Sequence, residues 1–564
     1  MKASRLVVAA VVTGSLCLAG GCGKGTGSGP GRESGGDERT IKAYDINPQP
    51  RDKVKDGGTL RWGINEFPAQ WNRNHVDGNL AMAAVVSNAL LPSPFHSDEK
   101  ADISVDRNYV LDAEVTDQRP KQVVTYRLNP KAKWSDGKPI TWADYEAQWQ
   151  ALNGRNPAFH IASSTGYQDI EKVARGKDDF EVVVTFDKPF GDWQALFGPL
   201  LPASTNRTPE SFDNAWLNKI PMTAGPFKFG GFDQTAKTIT IVRDDSWWGN
   251  RAKLDKIIYR SSEQDSLISA FSNGELDLID VGPSAPDYAR AKGTPGAQVR
   301  QAAGPDFRHF TFNGSSELLK DRNVRQAVQL GISRQAIAQS DLQGLDWPIA
   351  LLNNHFFMNT QEGYQDNAGK LGAYDPGQAR RLLDAAGWKL SGSFRQKNGK
   401  VLDLRFVVPS GVQISKAEGE LAQTMLAQIG VKLTIQAVPS DDFFTKYVIP
   451  GNFDITPFAY IGTPFPVSSS FGIYANSADG KTWNANFGRT GSPAIDQAMN
   501  RAAQSLDPVR ARAAANEADA LIWQEVNVLP LYQRPQNVAA RQTLANVGAR
   551  GFYDLRYEDI GFTG

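Results

Sequence analysis

Both cysteines of the 564-residue chain, Cys17 and Cys22, lie within its first 22 residues. Everything after them has to fold without a disulfide, on buried apolar surface alone. A chain of this length is too long for one hydrophobic core, so two or three domains are expected. The material for such cores is ordinary, with 41% hydrophobic and 22% charged residues. Lys plus Arg and Asp plus Glu each number 61, and no run of five like charges occurs. No basic field exists to hold nucleic acid or an anionic surface, and nucleic-acid binding is not expected.

The N-terminus carries an address. Lys2 and Arg5 precede residues 6–21, which are apolar or small throughout. Sixteen such residues fall short of the ~20 that span a bilayer as a helix. A basic start, a short apolar stretch and small residues before a cleavage point predict an export signal over 1–21. The stretch ends LAGGC, which resembles the lipobox of bacterial lipoproteins, where the cysteine is acylated and becomes the first mature residue. Ala19 departs from that pattern, since Leu is usual three places before the cysteine. Plain cleavage with Cys22 left free is the alternative, and lipidation of Cys22 is the expectation. The Gly- and Ser-rich run GKGTGSGPGRESGGDER follows. It predicts a flexible tether, 22–56 in all with the lipidated cysteine, between a lipid anchor and the strand that starts at Gly58.

Beyond the tether, short strands alternate with amphipathic helices, without a further apolar run of membrane length or an internal repeat. The clearest unit is 401–438. VLDLRFVV puts Leu402, Leu404 and Phe406 on one strand face. A helix from about Ser415 carries Leu421, Met425 and Ile429 at a spacing of four and stops at Gly430, and VKLTIQAV alternates again. Strand, helix and strand predict a βαβ unit. In DPGQARRLLDAAGW, Asp375 is a natural N-cap, Pro376 suits the first helical position and Gly387 ends the helix. Thr141 and Asp144 have capping-box spacing, with Tyr145, Trp149 and Leu152 on one face. QVVTYRL (122–128), FEVVVTF (180–186) and TITIV (238–242) are predicted strands. The class is mixed α/β.

Signatures of chemistry are missing. The five histidines, His75, His96, His160, His309 and His355, are never closer than 21 residues in sequence. No HExxH, phosphate loop or nucleophile elbow occurs. No enzyme, metal or cofactor is expected, and His309 and His355 are read as structural.

Eight segments resemble, in order, the extracellular solute-binding proteins of family 5, the oligopeptide- and dipeptide-binding class that feeds ABC importers. They are KWSDGKPITWADYEAQW (133–149), TAGPFKFGGFDQTAKTITIVRDDSWWG (223–249), FSNGELDLID (271–280), NVRQAVQLGISRQAI (323–337), YDPGQARRLLDAAGW, the βαβ unit, GNFDITPFAY (451–460) and VLPLYQRPQ (528–536). The match spans about 57–540. It implies a periplasmic-binding-protein-like fold (class II, cluster C), with two hinged lobes around a cleft and an extra inserted domain. Carried over, the first lobe is built from 57–98, 213–303 and 529–564, the inserted domain from 99–212 and the second lobe from 304–528. The implied mechanism is closure around a small-molecule or peptide ligand, followed by docking of a monomer on the permease subunits of an ABC importer.

One uncharged stretch, AYIGTPFP (459–466), bears on the ligand. In peptide-binding members the place after the GxFD strand holds an aromatic and then an Asp that pairs with the ligand's α-amine, with an Arg nearby. Here Tyr460 matches the aromatic, Thr463 falls on the acidic position and Pro457 near the Arg. The expectation is a ligand end without a free ammonium, unless Glu66 or Asp454 supplies the anion. The candidate ligand-binding residues are Phe67, Gln70 and Trp71 after the first strand, Tyr460, Thr463 and Phe465 opposite, and Asn486 with Phe487 closing over the ligand. A second class of function is a cell-envelope lipoprotein that uses the same fold as a glycolipid sensor or regulatory scaffold without transport.

Overall fold

The computed structural model describes residues 41–564. The export signal, Cys22 and the first part of the tether lie outside the described residues. The second part of the tether is not free. Asp45 N–H donates to the Ala549 carbonyl (2.6 Å), Lys55 N–H to Phe562 (2.8 Å), and Ile46 and Val54 are buried. Apolar side chains at 46 and 54 find a partner in the chain's last strands, so 41–56 is packed onto the body and the expected tether is shorter than 22–56.

One ten-stranded sheet runs through the molecule, and two long strands cross its middle, Ala297–Phe312 and Val528–Arg541. They pair antiparallel along nearly their whole length, with the register broken between Ala303 and Phe307. The sequence accounts for the break. Pro305 on one strand and Pro530 and Pro535 on the other have no N–H to give to the ladder. Gly304 lets the backbones approach, since a Cβ there would sit 2.8 Å from the Arg534 carbonyl oxygen.

On one side of the break, Thr59–Ile64, Lys256–Ser261 and Leu278–Asp280 form a parallel set, followed outward by Thr238–Arg243 and Phe227–Asp233. On the other side, Asp403–Pro409 runs parallel to both Lys432–Val438 and Ile455–Ile461. Each half carries buried apolar clusters of its own, around Leu60, Ile257 and Leu278 in the first and around Phe310, Leu404 and Leu426 in the second. Pairing of Val528–Arg541 passes from Phe307 at Gln533 to Ala303 at Pro535, so this strand belongs to both halves and no junction falls at its start. A separate four-stranded sheet, Val110–Asp117, Val123–Leu128, Glu181–Phe186 and Ile170–Arg175, packs with the helix Trp142–Leu152 into a third core.

Local expectations hold where their signals are local. The helix Gln413–Ala427 joins parallel strands as predicted, and Gly430 has φ +77°. Asp375 accepts from Gln378 N–H (2.8 Å), and Thr141 N–H donates to the Asp144 carboxylate (2.9 Å) in a formed capping box.

A buried ion pair ties a crossing strand to the second half. Arg308 Nε and an Nη donate to Glu418 (2.7 and 2.5 Å), the Nη also to Ser415 Oγ (2.8 Å), and both charged side chains are sealed from solvent. Nearby Asp341 accepts from Tyr532 (3.1 Å), and burial and the Glu418 charge push its carboxyl well up. Glu418→Ala strands a buried guanidinium and is expected to lower stability by about 3–5 kcal/mol. Arg308→Met combined with Glu418→Leu is expected to lose much less; chemical denaturation of the three proteins checks the order.

Candidate interlobe cleft

The register fixes where a ligand would sit. Arg300 and Asp280 both lie opposite Val538, and Gln298 and Leu278 both lie opposite Ala540. The strand Leu278–Asp280 therefore advances toward the break, together with the strands parallel to it. In the other half Ile455 lies opposite Phe312 and Ile461 opposite Asp306, so that strand also runs toward the break, from the far side. The carboxyl ends of both parallel sets thus face each other across 304–306. In open α/β sheets ligands bind outside the carboxyl ends of parallel strands, and here two such ends share one crevice.

The lip of the second half is the loop 461–465. Gly462 N–H donates to the Pro305 carbonyl (2.6 Å), which ties the loop to the break. Thr463 Oγ accepts from Phe465 N–H (3.0 Å), and the Thr463 carbonyl accepts from Gln361 (3.0 Å). Phe465 is half-buried and lines a cavity of about 280 Å³ with Pro464, Phe357, Asp192, Lys100 and Arg512. From the first half, Phe67 is half-buried, its ring 5.9 Å from that of Phe232 with Lys237 Nζ 5.2 Å above it. Phe67 follows the end of Thr59–Ile64 by three residues, and Thr463 and Phe465 follow the end of Ile455–Ile461 by two and four, so these sequence candidates lie just beyond strand ends that point to the break.

The other five belong to the interior. Trp71 is buried against Phe232 (5.5 Å), and its indole N–H has no acceptor among the described residues. The Gln70 amide spans Asp213 and Asn72 (2.8 and 3.0 Å), closing a bend of its own lobe. Tyr460 stacks on His309 at 4.4 Å, donates to Ala485 (3.3 Å), and burial pushes its hydroxyl well up. Asn486 is saturated by Ala475, Thr490 and Asn527 (2.9, 2.8 and 2.7 Å), and Phe487 is 3% exposed beside Phe458. Gln70, Trp71, Tyr460, Asn486 and Phe487, which the sequence offered as ligand contacts, are thus buried within their own lobes in this structure. His355, with Asp519 and the Val528 carbonyl at its two nitrogens (2.6 and 3.0 Å), is structural.

Charge near the break comes from Glu66, named from the sequence, and from Arg534, Asp306 and Asp280, which sequence reasoning did not single out. Arg534 is committed to Asp306 (2.8 Å). Asp280, the last residue of its strand, is exposed to solvent and accepts from Gly282 N–H (2.9 Å); desolvation by the surrounding protein raises its carboxyl, against that hydrogen bond and the nearby Arg534 charge. Glu66, two residues beyond Ile64, is likewise raised by burial and has no hydrogen bond or ion pair among the described residues. Asp454, by contrast, is filled by Ser316 Oγ (2.5 Å) and by Arg405 N–H and Nε (2.7 and 3.2 Å) and has nothing to offer a ligand. The signal for Asp280 was present in LDLID, an acid closing an apolar strand, but its meaning needed the strand's direction.

Elsewhere, His75, His160 and Asp213 place their ligating atoms within 4.8 Å of one another. His75 Nδ1 accepts from Asp77 N–H (3.0 Å), so the neutral ring carries its proton on Nε2, facing Asp213 Oδ1 at 3.4 Å. Burial lowers the His75 pKa, which favours that neutral form, and His160 Nδ1 meets the other carboxylate oxygen at 2.7 Å. Two imidazoles share one carboxylate, and the nitrogen a metal would need is protonated.

Residues 111–482 match the bacterial extracellular solute-binding proteins, family 5 (middle). The chain belongs to this family. It is a family of solute-binding proteins, not of enzymes, as the order of motifs implied. Over 522 residues the chain is 44% identical to the oligopeptide-binding protein OppA of Mycobacterium tuberculosis (strain H37Rv), covering 92% of this chain and 87% of that one. The probable monoacyl phosphatidylinositol tetramannoside-binding protein LpqW of the same organism is 26% identical over 336 residues, 58% of this chain and 52% of LpqW. Among solved structures, the periplasmic EDTA-binding protein EppA superposes with TM-score 0.83 at 25% identity, covering 94% of this chain and 100% of EppA. The oligopeptide-binding protein AppA of Bacillus subtilis, in complex with a nonapeptide, has TM-score 0.74 at 20% identity, covering 91% of this chain and 100% of AppA, a likeness of fold.

The division into wall and core is checkable. Trp71→Phe is expected to lower stability by about 1–3 kcal/mol with ligand affinity unchanged. Phe465→Ala is expected to weaken ligand about tenfold with stability nearly unchanged. Thermal melts and calorimetric titration of both variants separate the effects.

Proposed function

We propose that the chain is the solute-binding component of an ABC importer and takes oligopeptides, held on the outer face of the cell membrane by lipid at Cys22. The observation that carries the reading is the meeting of two sets of strand ends over a broken pair of crossing strands. That geometry puts ligand-contacting loops on two bodies joined by a hinge, so a ligand touching both favours closure. The 44% identity to an oligopeptide-binding protein favours peptides among possible solutes. No helix among the described residues is long and apolar enough to cross a membrane.

The uncharged loop at Thr463 led us to expect a ligand end without an ammonium. The carboxylates of Glu66 and Asp280 favour the opposite. Two acids that make no hydrogen bond or ion pair to a cationic side chain, Glu66 half-buried and Asp280 exposed, are best matched by an ammonium on the ligand, as a free peptide amino terminus provides. We therefore place the cation-recognising side of the cleft on the first lobe rather than at Thr463.

Mass spectrometry of the ligand released by denaturing the purified chain is the direct test. Peptides with free amino termini are expected; a glycan or glycolipid would replace this reading with the sensor alternative. Asp280→Asn is expected to weaken such peptides about tenfold and to leave N-acetylated ones unaffected. Cys22→Ala is expected to move the protein from the membrane fraction to the medium, and retention at the membrane would rule out the lipid anchor.

A further inference from the structure

The loop 461–465 leaves the cleft straight into the helix Pro466–Tyr474, and this helix begins without a cap of its own. Phe465, at the N-cap position, has no side-chain acceptor. Instead the N–H of the third helical residue, Ser468, donates to the Asp192 carboxylate at 3.1 Å. Asp192 lies 276 residues away in sequence, in the segment that forms the third core. Burial raises its carboxyl, and the hydrogen bond from Ser468 opposes that rise.

The neighbouring residue makes a second contact. Gly191 N–H donates to the Ala503 carbonyl (2.6 Å), within the helix Pro493–Gln504. A Cβ on Gly191 would lie 2.4 Å from the Ser505 carbonyl oxygen and 3.2 Å from that of Ala503, so only glycine permits this approach. Two consecutive residues thus hold the start of one second-lobe helix and the end of another. Around them the seam is open, since the 280 Å³ cavity lies directly beside Asp192 and Phe465.

The inserted segment is rooted on the first lobe. Tyr109 Oη donates to the Ala224 carbonyl (3.0 Å), Trp248 Nε1 to that of Asn108 (2.7 Å), and Ala224 and Trp247 are part of its core. The Gly191 and Asp192 contacts therefore connect the first lobe to the second without passing through the crossing strands. A rotation at 304–306 that parts the lobes has to break them.

We propose that Gly191 and Asp192 form a clamp that shuts with the cleft, and that Asp192 is a positioning residue for the ligand loop 461–465. A capping carboxylate stabilises a helix start; here it acts only while the lobes are together, so its contribution adds to ligand affinity by linkage. This inference rests on the proposal that peptide binding closes the lobes.

The test uses the full chain in detergent and, as probe, a random nonapeptide library with free amino termini. In the wild type, peptide is expected to slow hydrogen exchange at the Ser468 amide. Asp192→Ala is expected to abolish that slowing and to weaken library binding about fivefold, with the melting temperature of the ligand-free protein unchanged. Asp192→Asn keeps an acceptor oxygen and is expected to restore both signals. Gly191→Ala reaches the same clamp by a different clash and is expected to repeat the Asp192→Ala result, which guards against a folding defect in one variant. A lowered ligand-free melting temperature with affinity and exchange unchanged makes Asp192 a static cap and overturns the clamp. Failure of the wild type to retain any library peptide overturns the peptide reading, and the clamp with it. Retention with no change in exchange at Ser468 overturns the clamp alone.

Discussion

Everything in this molecule hangs on two strands that pair with each other across the middle of the sheet. Ala297–Phe312 and Val528–Arg541 carry the hydrogen-bond ladder from one lobe into the other, and the ladder fails for three residues at 304–306. Prolines remove donors on both strands there, and Gly304 permits a backbone approach that a side chain would block. A continuous ladder would make the sheet one stiff body. A ladder absent altogether would leave two domains on loose tethers. Interrupting it over a few residues keeps the lobes in register while giving them an axis about which to rotate.

The same break positions the cleft. Strands parallel to one another present their carboxyl ends on one side, and the antiparallel relation of the crossing strands turns the two sets to face each other. Loops that leave those ends, 65–67 and 461–465, become opposite walls without needing any contact between them. The loop of the second wall is then held from three directions: by the Pro305 carbonyl at the break, by Gln361 from within its lobe, and by Asp192 through the helix that follows. A loop with no charge of its own is kept in shape by polar groups borrowed from elsewhere.

Charge satisfaction distinguishes structural acids from the acids of the cleft. Glu418, Asp306 and Asp454 each meet arginine, and their pairs tie strands to neighbouring elements. Asp280 receives one backbone N–H and Glu66 receives nothing among the described residues. A carboxylate with no hydrogen-bonded cationic side chain keeps its lone pairs available, which is the property the proposed recognition of a ligand ammonium uses.

The sequence by itself determined the parts that rest on neighbouring residues: the capped helix Pro376–Ala385, the capping box at Thr141, the parallel unit from Asp403 to Val438, and the order of motifs that names the family. Propensity, capping and periodicity act within a turn or two, so they are written where they act. It also placed Phe67, Thr463 and Phe465 correctly at the ends of strands. Only the tertiary structure decided which of the candidate aromatics are buried in the core and which stay partly open. Trp71, Tyr460 and Phe487 are as apolar as Phe465, and nothing in their immediate neighbours tells a cleft wall from an interior. That distinction is made by pairings such as Asp306 with Ile461 and Asp280 with Val538, which bring together residues more than 150 positions apart. Side chains so distant in sequence are assigned to wall or core only when the ladder closes, and the direction of each strand, which put Asp280 at the mouth of the cleft, exists only then.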